Sequence, residues 1–298
     1  MSPKDLLLAL TVVLVWGVNF VVIKVGLHGV PPMLLGALRF ALVAFPAVLF
    51  VPRPKIPLKW LLAYGATISL GQFAFLFSAM YVGMPAGLAS LVLQSQAFFT
   101  LTIAALVLRE PIRWFHLAGM AVAACGLAII GMAGQATTGV ATGMTTAGFL
   151  LTLCAAFSWA SGNIVTKRIG KVNVVGLVIW GAVIPPVPFL LLSYWMEGPE
   201  QIVHSLTNIG WSSIGAIVYL SFGATIFGYS LWSRLLGRYA ASQVAPLTLL
   251  VPVVGLISAA VLLDERLVPA QWLGGAVVMG GLLLNVFGGR LAARRAMA

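Results

Sequence analysis

Long apolar runs alternate along the chain with short polar gaps. Ten of the runs reach the roughly 20 residues that a helix needs to cross about 30 Å of hydrocarbon. They cover residues 5–25, 32–51, 59–81, 86–108, 114–132, 146–166, 174–195, 211–233, 240–263 and 269–288. The longest polar gaps run from Gly134 to Thr145 and from Glu197 to Gly210. Neither can hold a soluble domain. The pattern predicts an all-α integral membrane protein of ten transmembrane helices, spans 1 to 10. The first run carries Trp16, Asn19 and Lys24 and has no clean small-residue cleavage site. It reads as a retained first span and not as a signal peptide.

Composition agrees with that reading. Hydrophobic types make up 61% of the chain and charged types 8%, against about 25% charged in soluble domains. With so little polar cover, most of the surface must face lipid. The net charge of +11 suggests nucleic acid only until the charges are placed. Nearly all lie in the short gaps, and no basic domain exists outside the membrane to hold a nucleic acid. Fourteen Lys and Arg fall on the side of the N-terminus, from Lys4 to Arg295; only Lys24 and Arg266 fall on the other, and Arg39 lies within span 2. The positive-inside rule makes the basic side cytoplasmic and predicts both termini inside, in a cell inner membrane.

The chain also repeats itself. Trp16-x7-Lys24 recurs as Trp159-x7-Lys167, an offset of 143, and Leu108-Arg109-Glu110 as Leu263-Asp264-Glu265, an offset of 155. The second offset carries Gly119 onto Gly274 and Gly126 onto Gly281. Two five-helix repeats follow, 1–134 and 146–298. Each has an odd number of spans, so the second enters the membrane inverted. Two inverted halves that rock about a midplane site are a recurrent architecture of carriers.

These residues also carry a family resemblance. The run Leu14-Val-Trp-Gly-Val-Asn-Phe, with Glu110, Gly119 and Gly126 matched by Glu265, Gly274 and Gly281, resembles the EamA family of the drug/metabolite transporter superfamily. Within it the chain is most similar to the YddG-like exporters of aromatic amino acids and methionine. The resemblance covers nearly the whole chain and implies ten helices in two inverted halves, with export or exchange of a small solute. One departure concerns Pro252 of span 9, whose counterpart in span 4 is Ala97. A hinge built on that proline is expected in one half only. Pro185, Pro186 and Pro188 are expected to kink span 7.

The candidate chemistry lies in uncharged groups. All six carboxylates (Asp5, Glu110, Glu197, Glu200, Asp264, Glu265) and all three histidines fall at span ends or in gaps. The spans therefore offer no group of the kind that usually relays protons, and a substrate-driven carrier or exchanger is expected. The predicted solute-binding residues are Trp16, Asn19, Gln72, Phe75, Ser90, Gln94, Trp159, Asn163 and Tyr219. They line a cavity between spans 1, 3, 4, 6, 8 and 9, apolar-walled with a few orienting polar groups. Spans 5 and 10, with glycine pairs and few polar groups, pack outside it. For Asn19 and Asn163, interhelical hydrogen bonding is an equally open reading. Arg39 is expected to snorkel to the outer interface, with attraction of a substrate carboxylate as the lesser alternative. Cys125 and Cys154 read as buried thiols. No metal and no cofactor is expected.

An aromatic cavity without a buried acid suits a zwitterion with an apolar side chain, whose ammonium ring faces can attract. The expected partners are an amino-acid-like small molecule and the lipid bilayer, with the chain acting as a monomer or homodimer. The alternatives are a multidrug or other metabolite exporter of the same architecture, a channel, and a membrane-embedded enzyme. The enzyme is disfavoured because the sequence holds no H-E-x-x-H, no G-x-S-x-G and no paired carboxylates in a span.

Overall fold

The structure is a computed structural model that describes residues 1–136 and 144–295, so the gap after Gly134 lies largely outside the described residues. Ten helices are long and apolar enough to cross a membrane. They are α1 (Pro3–Leu27), α2 (Pro32–Leu49), α3 (Leu58–Tyr81), α4 (Ala86–Leu108), α5 (Trp114–Ala133), α6 (Thr146–Ile169), α7 (Val174–Met196), α8 (Trp211–Arg238), α9 (Pro246–Leu263) and α10 (Pro269–Gly289). The gap after Glu197 is not a plain loop. Pro199–Thr207 forms a short helix there, with proline in its first turn, where a missing N–H costs nothing.

Helix starts follow the local chemistry. Ser2, Thr145 and Asn173 cap α1, α6 and α7 with their own side chains. At α2 and α4 the capping residue is a proline, Pro31 or Pro85, with no side-chain bond to offer. Distant carboxylates fill these places. Glu197, at the end of α7, accepts from the N–H groups of Met33 (2.6 Å) and Leu34 (3.2 Å). Glu265, after α9, accepts from those of Ala86 (2.7 Å) and Gly87 (3.0 Å). A carboxylate at a helix N-terminus meets free N–H groups and the positive end of the dipole. Both caps lie on the face opposite the N-terminus, and each ties two spans together.

The repeat is visible in the backbone. Arg109 and Asp264 both end their helices in the left-handed region, at φ 55° and 51°. The next N–H bonds back in the same way, Glu110 to Ala104 (3.4 Å) and Glu265 to Ala259 (3.3 Å). On α5 and α10, Gly119 faces Gly281 and Gly126 faces Gly274. Exchanging the halves by the 155-residue offset carries each of these contacts onto the other, as a two-fold relation requires. Backbone-to-backbone approach without a Cβ is how small residues bring helices close in lipid. These two helices pack on each other as the glycine pairs suggested.

Four of the spans are not uniform. α3 carries a π-helical stretch at Gly65–Gly71 and α8 one at Tyr219–Phe227. A 3₁₀ stretch interrupts α4 at Leu93–Ser95, and another leads α9 at Ala245–Leu249. Both pairs are related by the repeat. The α9 stretch contains Pro246, whereas the α4 stretch has no proline, so the tightened turn does not depend on Pro252 and belongs to both halves. The kink expected in span 7 is present: α-helix stops at Gly181 and resumes at Pro186.

Two expectations are corrected here. Cys125 and Cys154 are free and exposed on the outside of the bundle, where apolar helix faces meet lipid, and are not buried. In span 3 the order of Tyr64, Gly71, Gln72, Phe75 and Ala79 predicts one stripe at i+3/i+4 spacing; the π stretch at Gly65–Gly71 inserts an extra residue per turn, so that stripe does not run evenly through α3.

Candidate solute site

The π stretch of α8 carries a dense set of hydrogen bonds to neighbouring helices. The Tyr219 hydroxyl donates to the Val15 carbonyl of α1 (2.8 Å), and Trp16 Nε1 donates to the Ala224 carbonyl of α8 (2.9 Å). The Ser221 hydroxyl lies within hydrogen-bond reach of the Arg39 carbonyl of α2 (3.1 Å) and of its own Ile217 carbonyl (2.7 Å). The Thr225 hydroxyl donates five residues back, to Leu220 (2.8 Å). A π turn loosens the carbonyl register of a helix, and short hydroxyl side chains satisfy what it frees. One stretch of nine residues thereby joins α1, α2 and α8 at mid-span.

Arg39 lies at this junction, and its side chain does not reach an interface. It is 3% exposed. Its Nη2 donates to Thr225 Oγ1 (3.1 Å). Its guanidinium lies 3.9 Å from the Phe73 ring centroid, 5.2 Å from that of Phe40 and 5.9 Å from that of Phe77. Nε and Nη1 are buried without a hydrogen-bond partner. The snorkelling expectation is therefore wrong. A snorkelling arginine needs an unobstructed route along its helix to water, and here Phe40, Phe73 and Phe77 crowd the guanidinium. Ring faces give a guanidinium some compensation, yet an isolated buried charge still costs on the order of several kcal/mol.

Of the residues predicted for the site, the structure brings Trp16 and Tyr219 together at this junction. The Trp16 ring also packs against Tyr229 (5.3 Å) and Trp232 (5.4 Å). Asn19, one turn along α1 from Trp16, has a buried Oδ1 with no partner. Gln72 is buried, and Gln94 lies half-buried in the 3₁₀ stretch of α4. Next to Gln94, the Ser95 hydroxyl is buried and unpaired. Trp159 is half-buried and packs on the main apolar core. Asn163 is engaged between helices, donating to Gln96 Oε1 (2.9 Å) and Thr100 Oγ1 (3.1 Å) of α4. Ser90 is fully buried between α4 and α9, reaching the carbonyls of Gly87 (2.7 Å) and Pro252 (3.4 Å). Phe75 is 39% exposed and stands apart from the Phe40–Phe73–Phe77 cluster.

Sequence reasoning missed Thr225 and Gln96, and it misplaced Arg39. For Arg39 a signal existed: it is the one charge deep in a span of a chain whose acids all lie at span ends. For Thr225 and Gln96 no such signal existed, because an isolated hydroxyl or amide in a span has many uses. A separate cleft of about 240 Å³ opens on the far face, lined by His28, Tyr81, Gln201 and His204 among others, and none of the predicted solute residues lines it. Among the described residues no group of His, Cys, Asp and Glu could hold a metal.

A ten-span bundle of two inverted halves, with matched helix interruptions, is the architecture of a membrane transporter. The chain belongs to the EamA-like transporter family, whose model matches it twice, over residues 4–132 and 146–287. It is 56% identical to the probable amino-acid metabolite efflux pump of Salmonella typhimurium, over 98% of this chain and 97% of that protein. It is 55% identical to the protein of the same description in Escherichia coli, over 97% and 96%. A probable terminal-alkyne amino-acid exporter of Streptantibioticus cattleyicolor is 28% identical over 93% of this chain and 91% of that one. One solved crystal structure aligns over 100% of both chains, with a TM-score of 0.62 and 20% identity, and so speaks to the fold alone.

Proposed function

We propose that the protein exports amino acids with apolar or aromatic side chains, or close metabolites of them, by alternating access across the inner membrane. The basic face carrying both termini is the cytoplasmic one. The observation that carries this reading is the mid-span junction of α1, α2 and α8. It offers aromatic rings, orienting polar groups and one positive charge, and no acid lies in the middle of a span. Such a site favours a zwitterion over a cationic drug, because a permanently cationic solute gains less from it: the rings attract its charge, but Arg39 repels it and no mid-span acid pairs with it. The near-full-length relatives described as amino-acid metabolite efflux pumps support the same class. The glycine seam of α5 and α10 is filled within one chain, which supports the monomer as the working unit.

The test is transport by purified protein in liposomes over a panel of amino acids and cationic drugs. Saturable flux and counterflow with apolar or aromatic amino acids are expected. Counterflow with cationic drugs alone would refute the substrate class, and flux without counterflow would refute the carrier. Orientation is checked by a reporter fused after Ala298, which should read as cytoplasmic.

A further inference from the structure

The chain has six acidic residues, and almost all are accounted for elsewhere. Asp5 bonds Tyr239 (2.7 Å) and Arg238 (3.3 Å) at the basic face. Glu110 bonds Lys167 (2.6 Å). Glu197 and Glu265 cap α2 and α4. Asp264 lies beside Arg266 on the surface (3.5 Å), and Glu200 belongs to the short helix after α7. None reaches the middle of the bundle. The Arg39 guanidinium is nevertheless there, 3% exposed, with one hydroxyl partner and with Nε and Nη1 unpaired.

A mid-membrane cation that lacks a counter-ion in its own chain must meet one from outside, or it would serve better as an apolar side chain. Guanidinium is suited to that meeting. Its planar fork matches a carboxylate, two N–H groups to two oxygens. The Phe73 ring lies against one face, Nε and Nη1 on the edge are buried and unpaired, and Thr225 holds one corner at Nη2. The residue before Thr225, Ala224, receives the Trp16 indole. Both therefore hang on a single turn of the α8 π stretch.

Building on the amino-acid reading above, we propose that Arg39 is the carboxylate-binding residue of the transported solute. Thr225 takes one of the two Nη2 N–H groups; the other lies parallel to the unpaired N–H of Nε or of Nη1, and that pair takes the two oxygens of the solute's α-carboxylate in the plane that Thr225 fixes. The solute's carboxylate is thus the counter-ion that the chain itself does not supply. Solutes lacking a carboxylate are rejected because they leave the charge buried and unpaired.

The experiment compares an apolar amino acid with its carboxamide in reconstituted liposomes, for wild type, Arg39→Gln and Arg39→Lys, each normalised to folded protein. Wild type should move the acid at least about tenfold faster than the amide, because a site with charged donors to satisfy discriminates strongly. Arg39→Gln should bring the two rates to within about twofold of each other, mainly by slowing the acid. Arg39→Lys keeps the charge but not the fork. It should raise KM for the acid and leave that for the amide unchanged, so it carries the test if the glutamine variant does not fold. Unchanged discrimination in either folded variant overturns the assignment. So does a wild type that moves acid and amide equally, which refutes the arginine's role alone. A wild type that moves no amino acid of the panel refutes the amino-acid reading, and this inference with it.

Discussion

The two π stretches invite comparison. They are related by the repeat and share a backbone form, but they are used differently. In α8 the stretch is a polar hub that bonds to Val15, Trp16 and Arg39. In α3 it is a close-packing seam. Gly65 faces Ile184 and the Gly181 carbonyl, and Gly162 of α6 lies against Ile68 and Thr67. A single outward bond is found there among the described residues, from Ser158 to the Thr67 carbonyl (2.8 Å). The counterpart of Arg39 by offset is Ala182, buried and apolar. Symmetry is kept where the halves must exchange conformations, in the backbone. It is dropped in the side chains, where the reading proposed above has one solute held in one orientation.

The largest expected effect breaks the seam. Gly162→Val would drive a branched side chain into Ile68 and Thr67, and overpacking of this kind costs about 1–3 kcal/mol. The matching test in the hub is Gly223→Ala, whose new methyl meets only the Tyr219 ring at an ordinary 3.5 Å. It should shift stability by less than about 1 kcal/mol. Thermal unfolding in detergent measures both, and equal losses would erase the distinction between seam and hub.

Next in size is Thr225→Val, which keeps the shape and removes the hydroxyl that holds Arg39. Leaving a charged donor unpaired costs about 1–3 kcal/mol, and transport per folded molecule should fall by about tenfold, the rate equivalent of 1.4 kcal/mol. Ser158→Ala in the seam should cost about 1 kcal/mol and leave the transport rate nearly unchanged. If the serine variant transports worse than the threonine one, the assignment of chemistry to α8 is wrong.

A smaller change should affect transport alone. Gln94 is half-buried in the 3₁₀ stretch of α4, and Gln94→Ala is expected to lower flux with thermal stability within about 1 kcal/mol of wild type. A loss of flux that only tracks lost stability would make Gln94 a packing residue. The smallest effect belongs to the basic face. The Lys167–Glu110 pair is about half exposed at both ends, so Glu110→Gln should cost about 0–1 kcal/mol and less at high salt. Its repeat partner, Glu265, caps two N–H groups, and Glu265→Gln should cost more at any salt, about 1–2 kcal/mol. Equal, salt-sensitive losses would show that both glutamates do the same work.

Much of this architecture was legible in the residues. The ten spans could be read because lipid punishes polar groups over a fixed length, so apolar runs of that length mark spans directly. The repeat showed in Trp16 and Trp159, in Glu110 and Glu265, and in the glycine pairs of α5 and α10. The short helix after Glu197 was missed because nine residues in a polar gap give too little periodicity to separate helix from loop. The exposure of Cys125 and Cys154 was missed because an apolar stretch does not say which face looks at lipid and which at protein.

The sequence by itself determined the number of spans, the basic face and the inversion of the halves. Each follows from composition and order along the chain, where hydrophobicity and charge act locally. Only the tertiary structure decided which mid-span side chains meet. It turned Arg39 inward among three phenylalanine rings, set Asn163 between helices and gathered Trp16, Tyr219 and Thr225 on one π stretch. The reason is geometric. A helix rotated by a single inserted residue presents a different face, and the packing of neighbouring spans selects that rotation.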